Sequence, residues 1–107
     1  MPVIEYNKLV RDKIPQIIEE DNKKCSVRIL DDEEYLHMVD AKLDEELAEY
    51  HKDQNIDELA DLLEVIYAAT KASGYSIEDL ERIRKEKDDK RGAFDKKILL
   101  ETVIENE

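Results

Sequence analysis

Cysteine occurs once, at position 25, so no disulfide framework can form within the chain and a reducing cytoplasm is the expected home. Tryptophan is absent, phenylalanine occurs once, and glycine and proline occur twice each. Leu, Ile, Ala, Glu, Lys and Asp dominate what remains, and these are helix-forming residues. No apolar run approaches membrane length, and the N-terminus lacks a signal peptide's apolar core. No linker or low-complexity stretch divides the 107 residues, which read as one domain, 1–107, with room for a modest core. Net positive charge is missing as well. The formal balance of −12 argues against a polyanionic partner such as a nucleic-acid polymer.

What is present is unevenly placed. Residues 31–64 carry fourteen acids against two bases (Lys42 and Lys52), a local net of −12. Residues 82–97 carry eight bases against four acids, a net of +4, and residues 8–13 carry Lys8, Arg11 and Lys13 against Asp12. An acidic middle thus lies between two basic flanks, and the plainest reading is oppositely charged solvated faces that pair with each other.

Residues 1–10 show no helical period and read as an irregular arm. A short helix is expected from about residue 14 to 22, with Pro15 tolerated in its first turn. Ser26-Val27-Arg28-Ile29 alternates polar and apolar, as a short strand or an extended connector does. Asp31 or Asp32 suits an N-cap. Leu36, Val39, Leu43, Leu47 and Tyr50 then recur at three and four, predicting a helix of about five turns. Residues 52–55 break it, and Asn55 suits the cap of the next helix. The stripe Ile56, Leu59, Leu62, Leu63, Ile66 and Ala69 runs toward a stop at Gly74. Ser76-Ile77-Glu78-Asp79 resembles a capping box and opens a last, charged helix that ends near Gly92. The tail, residues 93–107, carries Ile98, Leu99, Leu100, Val103 and Ile104; it is too apolar to float free and should pack on the bundle or on a second subunit. The predicted class is all-α, an antiparallel helical bundle.

One phrase is written twice. Glu46-Leu47-Ala48-Glu49 is echoed by Glu58-Leu59-Ala60-Asp61, on either side of the short break. At about 100° per residue, Glu46 falls roughly 60° from the centre of the first apolar stripe, and Glu58 falls inside the second. Asp44, Asp57 and Glu64 are the better candidates for plain surface. Helices joined by a few residues fold back as an antiparallel hairpin. A turn between Asp53 and Gln54 puts Glu49 level with Glu58, and Glu46 level with Asp61, as a compact square. Two like charges 4 Å apart repel by about 4 kcal/mol at an effective dielectric of ~20. Such a square must therefore retain protons or hold cations. Four carboxylates without Cys or His make an all-oxygen site, suited to Mg²⁺ or Mn²⁺. The bland reading is that acids on acidic helices fall three apart by chance.

On the last helix, Glu81–Lys85, Arg84–Asp88 and Glu86–Lys90 are spaced to pair locally. Lys87 has no acid among its helical neighbours. Arg84, Lys87 and Arg91 form a cluster that would welcome an anion, and Lys8, Arg11 and Lys13 offer a second set of cations. Acid-bound Mg²⁺ with free cations is the apparatus for holding a polyphosphate.

The run Tyr6-Asn7-Lys8-Leu9-Val10-Arg11-Asp12-Lys13-Ile14-Pro15, the two acid phrases with Glu45, and Lys87 with Arg91-Gly92-Ala93-Phe94 together resemble the all-α NTP pyrophosphohydrolases, the MazG-like and phosphoribosyl-ATP pyrophosphohydrolase-like proteins. The resemblance covers residues 6–100. Ala93 departs from the Arg-Gly-Gly-Phe usual there, and the N-terminal run looks like a house-cleaning subgroup. The resemblance implies Mg²⁺-dependent cleavage between the α and β phosphates of a nucleoside triphosphate, releasing pyrophosphate. It implies metal ligands at Glu46, Glu49, Glu58 and Asp61, with Glu49 or Glu45 accepting a proton from the attacking water. Lys87, Arg91, Arg84, Lys8, Arg11 and Lys13 would then meet the phosphates. It also implies homodimers or homotetramers in which two subunits complete one bundle.

Two other classes compete. Glu34-Tyr35-Leu36-His37 has the Glu-x-x-His spacing of di-iron bundles, but His51 has Ala48 where a second such pair needs Glu. A non-catalytic acidic module, oligomerising or binding nucleotide, would explain the composition but neither the mirrored acids nor the unpaired Lys87.

Overall fold

The computed structural model describes residues 2–105; Met1, at the head of the expected arm, and residues 106 and 107, at the end of the expected tail, lie outside it. The described residues hold four helices and no strand: α1 (Ile14–Glu20), α2 (Asp32–Asp53), α3 (Ile56–Ala72) and α4 (Ile77–Arg91). Residues 26–29 are an irregular connector. One alternating stretch with no second strand to receive its backbone hydrogen bonds gains nothing by forming a strand.

Each long helix starts on a side-chain cap. Asp31 accepts from the Glu34 N–H at 2.8 Å, Asn55 from the Glu58 N–H at 3.0 Å, and Ser76 shares a reciprocal capping box with Asp79. The stops are equally local. Gly74 and Gly92 take positive φ values of 92° and 81°, where a side chain would be strained. α1 ends two residues before the expected Asn22, which adopts a left-handed φ of 59° and turns the chain away.

α2 and α3 pack along their length as a hairpin, and α4 touches α3 only near the turn between them. α1 packs on no other helix among the described residues. The result is long and thin, 69 × 31 × 26 Å with a radius of gyration of 19.1 Å, where a compact chain of this length has about 13 Å. Only Val39, 2% exposed, is fully buried among the described residues. The accessible surface is 10283 Å², whereas a compact monomer of 12.6 kDa shows about 6,200 Å².

The apolar tail accounts for part of that excess. It does not pack on the helices: Phe94 is 96% exposed and Ile104 90%. Of the two expected places for it, the chain's own bundle is excluded for the described residues. An open apolar groove of about 440 Å³ also remains between the hairpin and α4, lined by Leu43, Ile66, Leu80 and Ile83 among others.

Candidate metal centre

The joint between α2 and α3 is two residues long. Gln54 sits in the left-handed region (φ 47°, ψ 48°), donates its N–H to the Tyr50 carbonyl at 2.7 Å, and so ends α2 at Asp53. Asn55 then pins the backbone of Glu58 in the first turn of α3. A carboxylate there faces the positive end of the helix dipole. The antiparallel return brings oxygens of Glu46, Glu58 and Asp61 within 4.8 Å of one another, and oxygens of Glu49, Asp53 and Glu58 likewise. The four acids expected to form one square are thus divided between two overlapping trios that share Glu58. Asp53 is the member that sequence reasoning missed. Its spacing of four from Glu49 on the same helix was the available signal.

Glu46, Glu58 and Asp61 are half-buried, while Glu49 and Asp53 are exposed. Partial desolvation, followed by the negative charges of Asp53, Asp61, Glu49 and Glu46, pushes the Glu58 carboxyl above the ordinary glutamate range. No cation or side-chain donor meets its oxygens among the described residues. Its neighbours are better supplied. Lys42 lies 3.2 Å from Glu45 and 3.5 Å from Glu46, Lys8 lies 3.0 Å from Glu45, and Arg11 lies 2.7 Å from Asp61. Desolvation raises the Glu45 carboxyl, but hydrogen bonds from Lys8 and Lys42 and their charges outweigh it and hold the group below its ordinary value. A carboxylate so held is a weak proton acceptor, which separates the two candidate bases. Glu49 makes no ion pair or side-chain hydrogen bond among the described residues.

The donor set fits a hard divalent ion. Two oxygens on an octahedral Mg²⁺ stand about 2.9–4.2 Å apart, so carboxylates already within 4.8 Å need only rotamer adjustments to share one. No histidine joins either trio, and His37 and His51 are exposed, which removes the di-iron arrangement from the described residues.

The cations expected to meet phosphate divide into separate places. Arg84, Lys87 and Arg91 line an open cavity of about 360 Å³ at the end of α4, closed by Gly92, Ala93 and Phe94. None of the hairpin acids lines it. Arg84 is already engaged there, 2.6 Å from Glu81 and 3.0 Å from Asp88. Lys87 and Arg91 make no ion pair among the described residues. Lys8 and Arg11 lie at the acid hairpin instead, and Lys13 joins neither group.

Comparison with known proteins adds a single short match. A stretch of 41 residues is 51% identical to an uncharacterized protein of Mycolicibacterium smegmatis, covering 38% of this chain and 42% of that protein. The chain therefore matches less than half the length of that relative. No family model and no solved structure matches the chain.

Proposed function

We propose that the chain is a Mg²⁺-dependent (or Mn²⁺-dependent) nucleoside triphosphate pyrophosphohydrolase of the MazG-like kind, cleaving between the α and β phosphates to give a nucleoside monophosphate and pyrophosphate. One observation carries the reading: Glu58, half-buried and unpaired among the described residues, has oxygens within 4.8 Å of those of Glu46 and Asp61 on one side and of Glu49 and Asp53 on the other. In these roles Glu46, Glu58 and Asp61 hold the ion, and Glu49 stands beside them as proton acceptor in preference to Glu45. A bound divalent ion supplies neutralisation of phosphate charge and acidifies water. Lys87 and Arg91, unpaired among the described residues, offset charge on the departing pyrophosphate.

The cavity at the end of α4 shares no lining residue with the hairpin, so in this reading Lys87 and Arg91 reach the ion from a neighbouring copy. The uncovered apolar tail and groove supply the surface for that association. An excess of about 4,000 Å² over a compact monomer exceeds one chain's share of an obligate interface, roughly 1,000–2,500 Å² per partner. We place the enzyme in the cytoplasm as a homodimer or homotetramer that clears non-canonical nucleotides. A panel of standard and damaged nucleoside triphosphates with Mg²⁺ tests this, scored for pyrophosphate against orthophosphate. Pyrophosphate from at least one is the expected result; orthophosphate alone, or no product at all, sinks the reaction.

A further inference from the structure

The N-terminal arm reaches the acid hairpin by two contacts, Lys8 Nζ to Glu45 Oε1 at 3.0 Å and Arg11 Nη2 to Asp61 Oδ1 at 2.7 Å. Among the described residues these are the only side-chain hydrogen bonds that join distant parts of the chain. The approach is shaped locally. Asn7 takes a positive φ of 46°, Lys8 also stacks over the Tyr6 ring at 5.7 Å, and the Arg11 carbonyl accepts from the Ile14 N–H to start α1. Among its described residues before α1 the arm is exposed at every position but the half-buried Leu9, and the two ion pairs are its polar anchors on the hairpin.

Asp61 belongs to the trio that would hold the ion. Its Oδ1 already takes the Arg11 guanidinium at 2.7 Å, and a divalent ion on the same carboxylate would set a second positive charge against that guanidinium. We propose that the arm is a displaceable internal counter-ion: Arg11, steered by Lys8, occupies Asp61 in the metal-free chain and gives way when a divalent ion binds. This rests on the metal reading above. Both pairs are solvent-accessible, with side chains 43–57% exposed on the cationic side, and exposed pairs are weak enough to be broken in each cycle. Once released, the same two cations lie beside an ion-filled hairpin, where a phosphate chain would be the next anion within reach. Metal arrival therefore converts an inward-paired arm into an anion-binding one.

The test is calorimetric titration of Mn²⁺ alone into the full chain, without nucleotide. Removing one exposed pair is worth about two- to five-fold in affinity. Arg11→Gln should thus bind Mn²⁺ two- to five-fold tighter than wild type, with the gain shrinking as salt is raised. Arg11→Lys should return toward wild type. Lys13→Gln removes the same charge from the same arm at a residue with no ion-pair partner among those described, and should change affinity less than Arg11→Gln does. If Arg11→Gln binds no more tightly than Lys13→Gln while Glu58→Ala has lost Mn²⁺ binding, the internal counter-ion is overturned and the metal centre stands. If Glu58→Ala binds Mn²⁺ as wild type does, the metal centre and this proposal fall together.

Discussion

The hairpin and α4 treat charge in opposite ways. On α4 half of the charges are answered along the helix itself: Arg82 pairs with Asp79 and Glu86, and Arg84 with Glu81 and Asp88. Such pairs stabilise an exposed helix by a few tenths of a kcal/mol each, about 0.2–0.5, and are ordinary surface chemistry. On the hairpin, five carboxylates gather around one turn, and among the described residues the cations that answer any of them are Lys42, at Glu46, and Arg11, 50 positions from Asp61. Glu58 is left unanswered among the described residues. Charge settled within one helix asks for nothing further, whereas charge concentrated across two helices and left open is what the proposed metal site rests on.

The comparison breaks first at Glu58. Glu58→Gln should cut pyrophosphate release by about two to three orders of magnitude, the several kcal/mol of charge stabilisation that goes with the ion. The same variant reads the repulsion directly. A carboxyl raised by its surroundings contributes stability below the ordinary glutamate range, and that contribution is lost as pH rises through the raised value. Without divalent ions, then, Glu58→Gln should melt above wild type near pH 7, the gap should close toward about pH 4, and Mg²⁺ should stabilise wild type alone. Equal melting curves across that range would remove the electrostatic case.

Next in size is the tail. Deleting residues 95–107 should dissociate the proposed homo-oligomer in sedimentation and make the melting temperature independent of protein concentration. An unchanged sedimentation coefficient per chain would separate the apolar tail from association. Lys87→Ala should raise KM about ten-fold, near the 1.4 kcal/mol of one charge-assisted contact, while leaving the Mg²⁺-induced rise in melting temperature intact; a lost rise would place Lys87 at the metal instead. Smallest is Ser76→Ala. It removes the cap of α4 at about 1 kcal/mol, visible as faster amide exchange in the first turn of α4, with Mn²⁺ affinity unchanged.

Much of this was legible in the sequence because it is local. Asp31, Asn55 and Ser76 announce helix starts by side-chain chemistry that acts within three residues, and Gly74 and Gly92 announce stops through one dihedral each. The pairing of Glu46 with Asp61 and of Glu49 with Glu58 follows from helix period and a short joint alone. What escaped depends on distance or on side-chain choice. No periodicity says that Lys8 will land on Glu45, or Arg11 on Asp61. Asp53 was assigned to the break because its helix runs one turn further than its apolar stripe. Arg84 meets the Asp88 that its spacing predicts, and Glu81, three residues back, holds it more closely still. The tail's apolar pattern was plain, but its partner is not encoded in its own period.

The joint at Gln54 and Asn55 carries one more consequence. With only two residues between the helices, angular phase is set by chain length and not by side-chain selection. A single inserted residue would rotate the second helix by about 100° relative to the first, swinging Glu58 and Asp61 away while leaving every residue type in place. Point substitutions at this turn should be absorbed with small losses. Length changes there should abolish divalent-ion binding.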